Sequence, residues 1–103
     1  MSKRVYTVNE ISDAIKPALQ KHDVVTRVVL FGSYAKGAPT KQSDIDLFIE
    51  SDKRLTGFAF FGVIDDIAKS VSAPVDVYGD KEIPEGGDFH KEILQHGVTV
   101  YAK

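Results

Sequence analysis

The chain has 103 residues, no cysteine and a formal net charge of −2, which indicates one small domain without disulfides or thiolate metal sites. This charge argues against nonspecific attraction to nucleic acid, and no apolar run reaches the ~18 residues that a membrane span needs. The N-terminal residues are polar and lack the apolar stretch of a secretion signal. We therefore expect a single cytoplasmic domain over residues 1–103 that does not act on a nucleic acid polymer.

Helices and strands are predicted to alternate along the chain. A capping-box pattern at Thr7 and Glu10 begins the first helix, and Asp23 ends it. The later predicted elements are a strand at 24–31, a short helix at 33–36 closed by Gly37, a strand at 44–49, a charged connector at 50–56, a helix at 58–71, a strand at 74–78, a helix at 89–96 ended by Gly97, and an edge strand at 98–101. This order predicts an α/β or α+β domain with a small mixed sheet of about four strands flanked by helices.

The helix at 58–71 has several large apolar residues near its start. Its predicted buried face consists of the residues at helical spacing, Phe58, Phe61, Ile64, Ala68 and Val71. Phe58, Phe60 and Phe61 crowd one turn, so they cannot all face the same core. We expect two of them to pack inside, and the alternative is an apolar surface patch that docks a partner.

A glycine-rich turn follows the first strand, and two aspartates begin the second. Residues 31–37 read FGSYAKG, and residues 43–47 read SDIDL. A short turn of this kind can offer backbone N–H groups to phosphate oxygens. Carboxylates at positions i and i+2 of a strand point to the same face, roughly 6.6 Å apart, where their oxygens can hold hard divalent cations. The combination predicts an enzyme of nucleotidyl transfer.

Together the two motifs resemble the signature of the DNA polymerase β-like nucleotidyltransferase superfamily, in which Gly-Ser is followed by a spacer and Asp-x-Asp. The closer likeness is to the minimal nucleotidyltransferases of prokaryotes, which often read G-S-x-A-x-G, a spacer and S-D-I-D-L. This pattern is matched at Gly32, Ser33, Ala35, Gly37, Ser43, Asp44, Ile45, Asp46 and Leu47. The resemblance covers nearly the whole chain. It also implies a third carboxylate on a later strand, for which Asp76 is the candidate.

The three aspartates are the predicted metal ligands and catalytic residues. We expect Asp44 and Asp46 to hold the Mg²⁺ ion that bridges the triphosphate of the donor. Together with Asp76 they would hold a second Mg²⁺ ion, which lowers the pKa of the acceptor hydroxyl, and Asp76 would accept its proton. This arrangement requires that the strands carrying these aspartates lie side by side in the sheet.

The glycine-rich turn is the predicted phosphate site. Gly32 permits close approach of the backbone, and the hydroxyl and N–H of Ser33 would bind the leaving pyrophosphate. Family members often carry arginines on both sides of the alanine in this turn, whereas this chain has Tyr34 and Lys36. Lys36 can still supply a point charge to a phosphate. The likeness implies ATP as the donor, although no residue of the motifs identifies the base.

The resemblance further implies a partner protein, because the chain has no room for a second domain that would hold an acceptor. In minimal nucleotidyltransferase systems the partner is commonly a small helical HEPN-type toxin. The predicted function is therefore transfer of AMP from ATP to a tyrosine of such a toxin, in a hetero-oligomer, as the antitoxin of a type VII-like pair. Two alternatives stay open: a catalytically silent antitoxin that acts by binding alone, and the catalytic subunit of a two-subunit enzyme that modifies a small molecule.

Overall fold

The computed structural model describes residues 5–52, 55 and 57–103. Within these residues the elements are α1 (Val8–Gln20), β1 (Val25–Phe31), β2 (Ile45–Ser51), α2 (Gly57–Ser70), β3 (Val75–Tyr78), α3 (Asp88–His96) and β4 (Val98–Ala102). Three residues of the predicted connector, Lys53, Arg54 and Thr56, lie outside the described residues. No helix in the described ranges is long and apolar enough to cross a lipid bilayer.

The four strands form one mixed sheet in the order β3-β2-β1-β4. Strand β1 is antiparallel to both β2 and β4, whereas β2 and β3 are parallel. The predicted α+β class, the mixed sheet and the edge position of the last strand are therefore confirmed. Because β2 lies between β1 and β3, Asp46 on β2 has a register partner on each side. These partners are Phe31 on β1 and Asp76 on β3.

Both faces of the sheet carry packed apolar side chains. Helices α1 and α2 cover one face and form the larger core with alternate residues of the central strands, among them Val28, Leu30, Leu47 and Ile49. Helix α3 packs on the other face, where Val29, Phe48, Ile83 and Ile93 form a smaller core. Since side chains alternate along a strand, Asp46 points to the same face as Phe48. The aspartates therefore lie on the face that carries the smaller core.

The inward face of α2 differs from the predicted one. Val63 and Ile67 are fully buried, and Phe60 and Val71 pack against the same core, whereas Phe58 is 94% exposed and Phe61 is 70% exposed. Only one of the three crowded phenylalanines therefore packs inside, rather than two. The apolar residues of α2 occupy more than one side of the helix, so periodicity alone could not decide which side faces α1 and the sheet.

Candidate active site

The segment after β1 is a single turn and not the predicted short helix. Residues 32–37 contain one helical hydrogen bond, from the Lys36 N–H to the Gly32 carbonyl at 3.1 Å. Bonds from Ala38 N–H to the Ser33 carbonyl (3.1 Å) and from Gly37 N–H to the Tyr34 carbonyl (3.3 Å) then close the turn as a Schellman motif. Gly32 and Gly37 both have left-handed φ angles, of 75° and 77°, which limit the helical segment from both ends.

The turn is anchored to the domain through Tyr34. This side chain is only 3% exposed and belongs to the larger core, and Ala35 packs against the same core. Ser33 is half-buried and Lys36 is exposed, so both predicted phosphate ligands are accessible from solvent. In a turn with one helical bond, the N–H groups of residues 33–35 have no acceptor within the turn itself. The sequence did not suggest the anchoring role of Tyr34, although an aromatic residue between two small ones was a usable signal.

The three predicted carboxylates converge at the start of β2 and β3. Asp46 and Asp76 are register partners on these adjacent parallel strands, which lie ~4.8 Å apart. Asp44 directly precedes β2, at the point where the Ile45 N–H donates to the Pro74 carbonyl at 2.9 Å. The side chain of Asp44 is close enough to that of Asp76 for its negative charge to raise the pKa of Asp76. The predicted grouping is thus observed, while the catalytic and metal roles of these residues remain predictions.

The electrostatics of the site follow from crowding of like charges. Burial raises the pKa of Asp46 above its ordinary value, and the negative charges of Asp76 and Asp44 raise it further. Burial likewise raises the pKa of Asp76, with additional increases from the charge of Asp44 and from the hydrogen bond with it. The pKa of the Tyr78 hydroxyl is also raised, first by burial and then by the three carboxylates. The site therefore carries unbalanced negative charge, which a bound cation would offset.

The turn and the carboxylates form one continuous site. A Cβ atom added to Gly32 would overlap Oδ2 of Asp46 and lie 3.2 Å from its Cγ. The backbone of Gly32 is therefore in direct contact with the Asp46 carboxylate, a proximity that only a residue without a side chain permits. The predicted phosphate turn and the predicted metal ligands are consequently adjacent, as nucleotidyl transfer requires.

The aspartates fit a divalent cation that also binds phosphate. Within the described part of the chain, no three acidic, histidine or cysteine side chains form a complete ligand set by themselves. Asp46 contacts the Gly32 turn, whereas Asp44 lies close to Asp76. Mg²⁺ commonly takes only one or two carboxylates and completes its coordination with water and substrate phosphates. The donor set of hard oxygens beside a phosphate turn matches that requirement.

Aromatic side chains line the same face of the sheet next to the aspartates. The ring centroids of Phe31 and Tyr78 are 5.7 Å apart, and these two rings are tilted relative to each other. The ring centroids of Phe31 and Phe89 are also 5.7 Å apart, and these two rings meet edge to face. Phe31 is the register partner of Asp46, and Tyr78 lies two residues after Asp76. Sequence reasoning missed this aromatic group because its members come from β1, β3 and α3, which are distant in the chain.

Comparison with known proteins identifies the family. The family model described as "Polymerase beta, Nucleotidyltransferase" matches residues 13–103. The chain belongs to this family. One relative is a Methanocaldococcus jannaschii protein named "Putative protein adenylyltransferase MJ1379", which is 32% identical to this nucleotidyltransferase over 83 residues. The matched region covers 79% of this chain and 83% of the relative. The resemblance to polymerase β-like nucleotidyltransferases and the prediction of an enzyme are confirmed.

Solved structures share the fold of this nucleotidyltransferase. A toxin–antitoxin structure with AMP-PNP has a TM-score of 0.69 at 19% identity, with 89% of this chain and 73% of that chain covered. A complex of tri-AMPylated Shewanella oneidensis HEPN toxin with MNT antitoxin has a TM-score of 0.64 at 16% identity, with 94% of this chain and 74% of that chain covered. At these identities the likeness establishes the common fold.

Proposed function

We propose that this nucleotidyltransferase transfers AMP from ATP to a hydroxyl group of a helical partner protein. The observation that carries the proposal is the convergence of Asp44, Asp46 and Asp76 beside the Gly32 turn. An acidic site next to accessible backbone N–H groups suits a magnesium triphosphate better than an anionic ligand alone. The relative named as a protein adenylyltransferase supports the choice of AMP and of a protein acceptor.

The residues of the site have distinct proposed roles. The N–H and hydroxyl of Ser33 bind the phosphates that become pyrophosphate, and Lys36 adds a positive charge at the end of the same turn. Asp44 and Asp46 would hold Mg²⁺ beside the donor triphosphate, and Asp76 accepts the proton of the attacking hydroxyl. Bound Mg²⁺ would supply charge neutralisation of the triphosphate and would lower the pKa of the acceptor.

The proposed acceptor is a tyrosine of a HEPN-type toxin, and the chain would act as the antitoxin. Support comes from the related fold of the antitoxin bound to the tri-AMPylated toxin. We also propose that residues 1–103 form one nucleotidyltransferase domain. The family match begins in α1 and extends to the end of β4, and the Ser12 hydroxyl on α1 donates to the Val100 carbonyl on β4 at 2.7 Å.

Intact-mass measurement tests the function. The chain is incubated with a HEPN-type toxin as the proposed partner, ATP and MgCl₂, and the partner is then weighed. The expected result is a mass increase by whole AMP units that requires both ATP and Mg²⁺. Asp46→Asn should abolish the increase, because it removes a charge from the centre of the carboxylate group.

Asp65→Asn is the matched control for this experiment. Asp65 is an exposed aspartate on α2 that pairs with Lys69 at 2.8 Å, outside the site. The control should transfer AMP at the wild-type rate. Inhibition of the partner by wild-type protein without any change in mass would contradict the proposal and would favour an antitoxin that acts by binding alone.

A further inference from the structure

A recess lies beside the Gly32 turn, between the turn and α3. Its volume is about 230 Å³, and its lining comes from the end of β1, the turn, one face of α3 and Gly97. Sites that enclose a complete drug-sized ligand are larger, at ~300–1,000 Å³. The recess therefore has room for one ring system of a ligand and leaves the remainder of that ligand outside.

The lining of the recess combines aromatic and polar side chains. Phe31 and Phe89 provide rings in edge-to-face contact, with Phe89 half-exposed on α3. Lys36, Glu92 and His96 add one carboxylate and two groups with N–H donors to the lining. An apolar ring wall with a few hydrogen-bonding groups is the usual composition of a site for a flat heteroaromatic ring.

We propose that this recess binds the nucleobase of the donor nucleotide, an inference that rests on the proposed function. The recess shares Gly32 and Lys36 with the predicted phosphate site, so a ligand bound there is adjacent to the phosphate turn. Phe31 connects the two sites, because it lines the recess and is the register partner of Asp46.

The polar groups favour a base with an exocyclic amine, such as adenine. The Glu92 carboxylate can only accept hydrogen bonds when ionised, and it therefore matches an amine donor. The Lys36 ammonium and a His96 N–H can donate to unprotonated ring nitrogens. Stacking on Phe89 would contribute to affinity for any base, whereas these polar groups would contribute to its selection.

Calorimetric binding of two ligands tests this assignment apart from catalysis. The ligands are ATP and inorganic tripolyphosphate, both with MgCl₂, and the proteins are wild type, Phe89→Ala and Leu94→Ala. Phe89→Ala should weaken ATP binding by about 5- to 150-fold, the usual effect of losing one base–aromatic stack. Tripolyphosphate has no base, so its affinity should stay unchanged in the same variant.

Leu94→Ala is the matched control, because Leu94 is an exposed apolar residue of α3 that does not line the recess (42% exposed, against 50% for Phe89). It should leave both affinities unchanged. Phe89→Leu, which keeps apolar bulk against Phe31 but removes the ring, should again weaken only ATP binding. The inference would be overturned if both Phe89 variants bound ATP with unchanged affinity. It would also be overturned if both variants lost affinity for ATP and for tripolyphosphate to the same extent.

The outcomes separate this inference from the proposed function. Wild-type protein that transfers AMP but binds ATP equally well after Phe89→Ala would disprove the base site and retain the enzyme. If Phe89→Ala slowed transfer to the partner without changing ATP affinity, the recess would receive the acceptor side chain instead of the base. Absence of AMP transfer by the wild type would reject the proposed function itself.

Discussion

Gly32 is the residue at which the phosphate turn and the carboxylates meet. Its φ of 75° lies in the left-handed region, and a Cβ there would overlap the Asp46 carboxylate. Gly37 has a similar φ of 77°, but among the described residues no atom other than those of its chain neighbours lies within 4 Å of its Cβ position. Substitutions at the two glycines therefore distinguish the effect of backbone strain, which both share, from the effect of displacing the Asp46 carboxylate, which only Gly32 has.

We predict that Gly32→Ala abolishes AMP transfer, whereas Gly37→Ala retains most of it. Both variants should lose about 1–2 kcal/mol of unfolding free energy, because alanine is strained in the left-handed region. Only Gly32→Ala should also push the Asp46 carboxylate away from the turn. Urea unfolding measures the first effect and the AMP-transfer rate measures the second. Equal transfer rates in the two variants would show that the contact between Gly32 and Asp46 is unimportant.

The raised pKa values of Asp46 and Asp76 make a prediction about stability and pH. The pKa of each of these carboxyl groups is higher in the folded chain than in the unfolded chain, so the protonated group favours folding. This contribution is complete below the ordinary pKa of about 3.9 and is lost as the pH rises through the folded-state pKa. At pH 7 the ionised group therefore destabilises the folded protein. Asp46→Asn, which cannot ionise, should unfold at higher urea concentration than wild type at pH 7.

The difference in unfolding free energy between Asp46→Asn and wild type should shrink as the pH is lowered from 7 through the raised pKa of Asp46 towards its ordinary value of about 3.9. Added Mg²⁺ should stabilise the wild type more than the variant, since only the wild type has the full set of carboxylates. Urea unfolding at several pH values measures both effects. A variant less stable than wild type at pH 7 would contradict the description of the site as a group of mutually repelling carboxylates.

At the residue scale, the sequence predicted the grouping of the candidate site residues because they belong to short local motifs, while their roles stay predictions. Gly32 and Ser33 are consecutive, and Asp44 and Asp46 are two residues apart, so spacing alone placed each pair. Asp76 needed the further condition that β2 and β3 be neighbours, which the sheet fulfils. The aromatic group could not be predicted, since Phe31 and Phe89 meet only through the packing of α3 on β1.

At the element scale, the bounds of most helices and strands were predicted to within two residues, but the orientation of α2 was not. The helix is apolar on more than one side, so its sequence allowed two inward faces. Tertiary contacts decide between them: the inward face packs against α1 and the sheet, and Asp66 bonds to His22 at 2.7 Å on one flank. The prediction of a short helix at 33–36 was wrong, because the two glycines that bound this segment leave room for only one turn.

Two substitutions in α2 measure its orientation. Ile67→Ala should lower the unfolding free energy by about 2–5 kcal/mol, because Ile67 is fully buried in the larger core. Phe61→Ala should change it by less than about 0.5 kcal/mol, because Phe61 is 70% exposed. Chemical denaturation of both variants gives the two values. A larger loss for Phe61→Ala than for Ile67→Ala would mean that α2 is rotated relative to the described packing.

At the scale of the whole molecule, acidic side chains gather at both ends of β2. Asp44 and Asp46 lie at its start, next to the glycine turn, whereas Glu50 near its end lies with Asp80 and Glu85 around a second cavity. Burial raises the pKa of Asp80, and the charges of Glu50 and Glu85 raise it further. Both ends therefore attract cations. Arg27 pairs with Glu50 at the second end and offsets part of its charge, and the phosphate turn lies at the first end.

The position of a bound Mn²⁺ ion shows directly whether the three aspartates form a cation site, because Mn²⁺ replaces Mg²⁺ at oxygen ligands and broadens NMR signals of nearby nuclei. We predict that the amide signals of Gly32, Ser33, Asp46 and Asp76 broaden first and that Asp46→Asn removes this effect. Broadening centred on Glu50, Asp80 and Glu85, with the Gly32 and Asp46 signals unchanged, would contradict a cation site beside the Gly32 turn.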